Sequence, residues 1–145
     1  MFNITESVIH ADRMVESLAI PAAGAVVTFE GRVRNHNEGR QVDSLEYEVY
    51  VEMAEKEGAR IIEEARQRHG VLEIHAVHRM GHLAIGDIAV WVGVASAHRA
   101  EAYEASRYMI DALKHRLPIW KKELYADGSS EWVNCKHCHP ESVAD

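Results

Sequence analysis

Leu45-Glu46-Tyr47-Glu48-Val49-Tyr50 sets Leu45, Tyr47 and Val49 against Glu46, Glu48 and Tyr50. That period of two predicts a strand with one face buried and the other in water. The period then changes. Across residues 52–69, Met53, Ile61, Ile62 and Ala65 recur as one helical face, and Gly70 stops the run. Two further strands follow at 71–78 and 88–95, linked by 81–87 with Gly86-Asp87 as the turn signal. A second long helix is expected from a cap near Ser96 or His98 to about His115, with Pro118 marking its end. Upstream, residues 2–9 suit an edge strand. Residues 12–19 suit a short helix that buries Met14, Val15 and Leu18 and ends before Pro21. Residues 24–34 are strand-like, and 35–39 carry turn chemistry. Residues 119–124 and 132–135 read as short strands around Ala126-Asp-Gly-Ser129. About three helices among strands that neighbour one another in sequence imply an α+β fold with a mixed, mostly antiparallel sheet. No glycine-rich dinucleotide or phosphate-loop motif is present.

The 145 residues suffice for one core, expected as a single domain over 1–134 with a tail at 135–145. The first residues have no basic n-region and no long apolar run, and the longest apolar stretch is too short for a bilayer. No membrane association and a cytoplasmic location are therefore expected. Charge is distributed unevenly. From His98 to Lys122 there are six Lys/Arg against three Asp/Glu, in a chain whose net charge is −7. A local cationic focus on an acidic body points to a pocket for a small anion. A nucleic-acid binder would carry a broad basic face, so none is expected as partner.

Lys114, Lys121 and Lys122 are the leading candidates for chemistry. Desolvated lysine binds phosphate or carboxylate and can move protons; solvated lysine in a last helical turn merely complements the dipole. His98 and Arg99 open the same helix, where backbone N–H groups favour anions, though capping and solvation would also explain them. Sixteen residues, ~24 Å of helix, separate His98 from Lys114. One small ligand cannot touch both ends in one chain, so a shared site would require a second copy. Arg32 and Arg34 stand at a strand end feeding a loop, as binding groups or as protection of an edge. Glu46 and Glu48 read as a solvated sheet face, and His75, His78 and His82 have no metal-ligand spacing. Cys135-Lys136-His137-Cys138-His139 holds zinc-type ligands, but Cys-x-x-Cys is half of a structural site and a reduced tail explains it as well.

Several blocks in order resemble the catalytic, or large, subunit of molybdopterin synthase. They are Gly24-Ala-Val-Val-Thr-Phe-Glu-Gly-Arg-Val-Arg-Asn-His-Asn37, residues 45–53, His78-Arg-Met-Gly81, Val94-Ala-Ser-Ala-His-Arg99, residues 111–123 and Trp132-Val133. The resemblance implies an α/β hammerhead-like fold and a sulfurtransferase of molybdenum cofactor biosynthesis. Sulfur would come from the C-terminal thiocarboxylate of a small ubiquitin-like subunit and go to cyclic pyranopterin monophosphate, forming the dithiolene without a metal or organic cofactor. It further implies a homodimer of large subunits within a heterotetramer. By the same resemblance Lys114 lies beside the incoming tail and Lys121 is the second active-site lysine. Arg34 is a substrate-side arginine flanked by Arg32 and Val33. His98 and Arg99 are an anion-binding pair given by the neighbouring subunit. Lys122 and Glu123 complete the lysine block, and Phe29 and Lys136 lie near the partner tail. The Cys-x-x-Cys-His end departs from the family pattern. Two other classes fit the residues alone: a non-catalytic binding protein for a phosphorylated metabolite, and a module docking an acidic partner tail.

Overall fold

A computed structural model describes residues 1–133. Its elements are β1 (Phe2–Thr5), α1 (Ala11–Glu16), β2 (Ala25–Arg32), β3 (His36–Asn37), β4 (Arg40–Val49), α2 (Val51–His69), β5 (Glu73–Arg79), β6 (Gly81–Ala84), β7 (Ile88–Ser96), α3 (Arg99–Arg116), β8 (Ile119–Tyr125) and β9 (Ser130–Val133). Two sheets result. The first has order β1-β5-β7-β2, with β1 parallel to β5 and the other pairs antiparallel. The second has order β3-β4-β8-β9, with β6 also on β4, and is antiparallel throughout. The α+β expectation of three helices and a mostly antiparallel, mixed sheet holds.

β7 reads Ile88-Ala-Val-Trp-Val-Gly-Val-Ala-Ser96 and is buried on both faces. A near-continuous apolar run suits a central strand covered on two sides. Val90, Val92 and Val94 face α2 and α3, whose Ile61, Ile62, Ala65, Ala105, Met109 and Leu113 complete the main core. Trp91 and Ala95 face the other way, onto Leu18 and Ile9. A separate cluster of Val33, Val42, Leu45, Leu83, Ala89 and Tyr125 joins the second sheet to the end of the first.

The expected elements shift where packing overrides pattern. Met53 is 54% exposed, because the buried stripe of α2 runs through Ala54, Gly58, Ile61, Ile62 and Ala65. Small residues set that stripe: a Cβ on Gly58 would collide with the Phe2 ring, so glycine lets α2 close on β1. The first strand stops at Thr5, and α1 stops at Glu16 with no buried residue of its own. Leu18, just past that helix, is the residue that reaches the core, while Val15 stays 37% exposed. The 81–87 link contains a strand, β6, whose Leu83 fills the second cluster. Ser96 ends β7, and His98 is the N-cap of α3 without a side-chain capping bond. Gly70 ends α2 in the left-handed conformation, as its position predicts.

Candidate functional site

A cavity of about 490 Å³ opens where the two sheets meet the C-terminal end of α3. Three local features aim its charged lining. First, the register between β2 and β7 slips between Gly31 and Arg32. The bulge breaks strict alternation, and Gly31, Arg32, Val33 and Arg34 all line the cavity. Second, α3 ends on Leu117, whose extended conformation turns the chain through Pro118 into β8. The reversal brings Lys121 to the cavity that Lys114 faces from the helix. Third, β8 pairs with β4 so that Lys121 lies opposite Tyr47 and Glu123 opposite Leu45. Alternation then sends Lys121 and Glu123 inward and Lys122 outward, where its ammonium sits 5.7 Å from the Trp132 ring centroid.

Not every cation of the basic segment belongs to this site. Arg116 ties α3 to α2 through Glu57 at 2.7 Å and Glu64 at 2.6 Å. Arg107 pairs with Asp111 on its own helix at 3.3 Å. Arg116 thus serves the helix pair, and Arg107 its own helix. Arg34, Lys114 and Lys121 form the cationic lining together with Arg32, whose guanidinium is paired with Glu30 at 2.7 Å.

The floor of the cavity is uncharged. Tyr47 and His78 meet edge to face with ring centroids 5.0 Å apart. Burial pushes the Tyr47 phenol up to about 12, helped by the nearby Glu123 charge. Burial drives His78 down to about 4, against a hydrogen bond to the Arg79 carbonyl that favours the proton. The little surface His78 retains opens on the cavity. Its Nδ1 lies 2.8 Å from that carbonyl, which can only accept. Nδ1 therefore carries the proton, and Nε2 is left as an acceptor. Unfolding frees His78 to protonate near its ordinary pKa of 6.5, while the folded ring resists until about 4. Its stabilising contribution is thus full above pH 6.5 and lost as pH falls toward 4, on the order of 3 kcal/mol. His78→Gln is expected to flatten the decline of urea stability across that window; a decline as steep as wild type would refute the assignment.

Glu123 is 3% exposed and accepts hydrogen bonds from Asn37 Nδ2 at 3.1 Å and the Tyr125 hydroxyl at 3.0 Å. Of the residues singled out in the sequence, the structure brings together Arg32, Val33, Arg34, Lys114, Lys121 and Glu123. It leaves His98 and Arg99 exposed at the far end of α3, Lys122 on the outer face of β8, and Phe29 packed against the main core. Lys136, Cys135, His137, Cys138 and His139 lie outside the described residues. Among the described residues no group of three or more His, Cys, Asp or Glu is placed to hold a metal, and no helix is long and apolar enough to cross a membrane. Sequence reasoning missed Tyr47, His78 and Asn37. Tyr47 was legible only as a strand residue and His78 only as a non-ligand, because their meeting depends on β4 and β5 coming together.

Comparisons with known proteins identify the family of the chain. The family model described as MoaE protein matches residues 4–116. The molybdopterin synthase catalytic subunit of Thermoplasma volcanium is 43% identical over 129 residues, covering 89% of this chain and 94% of its own. That of Bos taurus is 42% identical over 138 residues, covering 95% of this chain and 73% of its own. The crystal structure of molybdopterin synthase from Staphylococcus aureus superposes with a TM-score of 0.87 at 41% identity, over 92% of this chain and 96% of that one. A chain in the complex of subunits 1 and 2 of the molybdopterin-converting factor from Helicobacter pylori, 20% identical, shares the fold at a TM-score of 0.76 over 93% of this chain and 91% of its own. With the family model matched over most of the chain and relatives above 40% identity along nearly its whole length, this chain belongs to the MoaE family of molybdopterin synthase catalytic subunits.

Proposed function

We propose that the chain transfers sulfur from the thiocarboxylated C-terminus of a small ubiquitin-like subunit to cyclic pyranopterin monophosphate, making the dithiolene of molybdopterin in the cytoplasm. The observation that carries this reading is the convergence of Arg32, Arg34, Lys114 and Lys121 on one cavity with an uncharged Tyr47–His78 floor. Guanidinium groups suit a phosphate, and a neutral floor suits a fused heterocycle. The relatives' description as catalytic subunits supports a further subunit in the assembly. Residues 1–134 act as one catalytic unit in this reading.

Lys114 stabilises the negative charge that develops on the thiocarboxylate carbonyl when it is attacked or hydrolysed. Lys121, from the facing strand, orients the pterin or its phosphate and shares proton transfer. Arg34 binds the phosphate, with Arg32, Val33 and Glu123 shaping the wall beside it. Phe29 and Lys136 are assigned to the partner tail, and Lys122 to the substrate side as part of the lysine block. His98 and Arg99 complete the anion site of a second copy within a homodimer, which in turn forms the centre of a heterotetramer. The length of α3 supports that division, because Lys114 and His98 stand at its opposite ends.

The test combines the protein with the pyranopterin and a thiocarboxylated small subunit, followed by assay of the dithiolene product. Product at a rate that depends on both components is expected. Tight binding of the pterin with no product would sink the enzymatic reading in favour of a metabolite-binding protein.

A further inference from the structure

Asn37 lies outside the cavity lining but between two groups that belong to it. Arg34 Nη2 donates to Asn37 Oδ1 at 3.2 Å, and Asn37 Nδ2 donates to Glu123 Oε1 at 3.1 Å. Arg34 and Glu123 both line the cavity. The amide is thus interposed between a cation at the mouth and a carboxylate in the wall. Its own position is fixed on both sides. Asn37 pairs with Arg40 across the two-residue turn Glu38-Gly39, whose φ angles of 49° and 78° close the β3–β4 hairpin tightly. Arg40 then lies 3.5 Å over the Tyr125 ring and 3.1 Å from Glu131, which ties the hairpin to β8 and β9.

We propose that Asn37 is a positioning residue for anion binding: its amide holds the Arg34 guanidinium at the cavity wall and keeps it apart from the buried Glu123 carboxylate. The proposal rests on the reading of Arg34 as a phosphate-binding group. The residue type follows from the two partners. A guanidinium only donates and a carboxylate only accepts, so the group between them must accept on one side and donate on the other. An amide does both without charge. Aspartate would satisfy Arg34 but set a second carboxylate against Glu123. Alanine would leave Arg34 open to capture by Glu123, and a guanidinium committed to a buried carboxylate is lost to a phosphate.

The test uses the full-length protein with inorganic phosphate as the probe, its binding read by calorimetry, alongside KM and kcat for the pyranopterin in the reconstituted assay. Asn37→Asp is expected to weaken phosphate binding and raise KM about tenfold, with kcat changed far less. Glu123→Gln keeps an acceptor for Asn37 but alters the cavity wall, so its own phosphate affinity is measured first and serves as the reference for a double variant. In the Asn37→Ala/Glu123→Gln double variant the carboxylate that would capture Arg34 is gone. Phosphate affinity should then return to within about threefold of the Glu123→Gln single variant. Asn37→Ala adds no charge and should show the same loss as Asn37→Asp, which keeps the test decisive if the latter fails to fold. A double variant that falls as far below Glu123→Gln as Asn37→Ala falls below wild type overturns the proposal. Wild-type phosphate affinity in Arg34→Ala would overturn the assignment of Arg34 itself and the proposal with it.

Discussion

Lys114→Ala is expected to lower kcat/KM by roughly two to three orders of magnitude while leaving the fold intact. The two halves of that expectation have separate physical grounds. Lys114 is exposed in the last turn of α3, where a cation contributes only modestly through the helix dipole. Its removal should therefore change urea stability by no more than about 0.5–1 kcal/mol. Catalytic loss is larger because the cavity beside it is lined by apolar Leu113, Leu117 and Ile119, where a fixed charge acts with less screening than in bulk water. Lys114→Arg should recover only part of the rate, since a planar guanidinium cannot occupy the place of a compact ammonium. Steady-state kinetics with the thiocarboxylated partner, together with urea melts of each variant, separate the effects. Wild-type turnover in Lys114→Ala would remove the central assignment; lost turnover with a collapsed melt would make the residue structural.

The sequence carried the local elements well and the site only in part. Alternation in β4, the α2 stripe closed by Gly70 and the buried run of β7 depend on neighbours in the chain, so periodicity exposes them. Met53 was misplaced because Ala54 and Gly58, the residues that set the approach of α2 to β1, carry little hydrophobic signal. The convergence of Lys114 and Lys121 was legible as a cationic focus, since only Leu117-Pro118 and a few flanking residues separate them. Register supplied what spacing could not. That Lys121 faces inward and Lys122 outward follows from the pairing of β8 with β4, a contact between segments far apart in the chain. Tyr47, His78 and Asn37 fall under the same limit. Each takes its meaning from a partner on another strand, and none lies in a motif whose spacing reports it.

Two inactive proteins are expected to restore activity to each other. A His98→Ala/Arg99→Ala variant and a Lys114→Ala variant damage opposite ends of α3, an 18-residue helix. At 1.5 Å per residue the ends are about 24–27 Å apart, beyond the reach of one small phosphorylated pterin. If each site combines Lys114, Lys121 and Arg34 of one copy with His98 and Arg99 of its mate, a mixed dimer sorts the lesions. One site then receives all three altered residues and the other receives none. Random exchange makes about half the dimers mixed, and each contains one intact site of two, so roughly a quarter of wild-type activity should return. Sites contained within single chains give the opposite result, because every site of the mixed dimer would then carry a lesion. Exchange itself is to be verified by mass spectrometry with isotopically labelled subunits. Proven exchange without recovery would assign the two ends of α3 to separate tasks and end the case for a shared site.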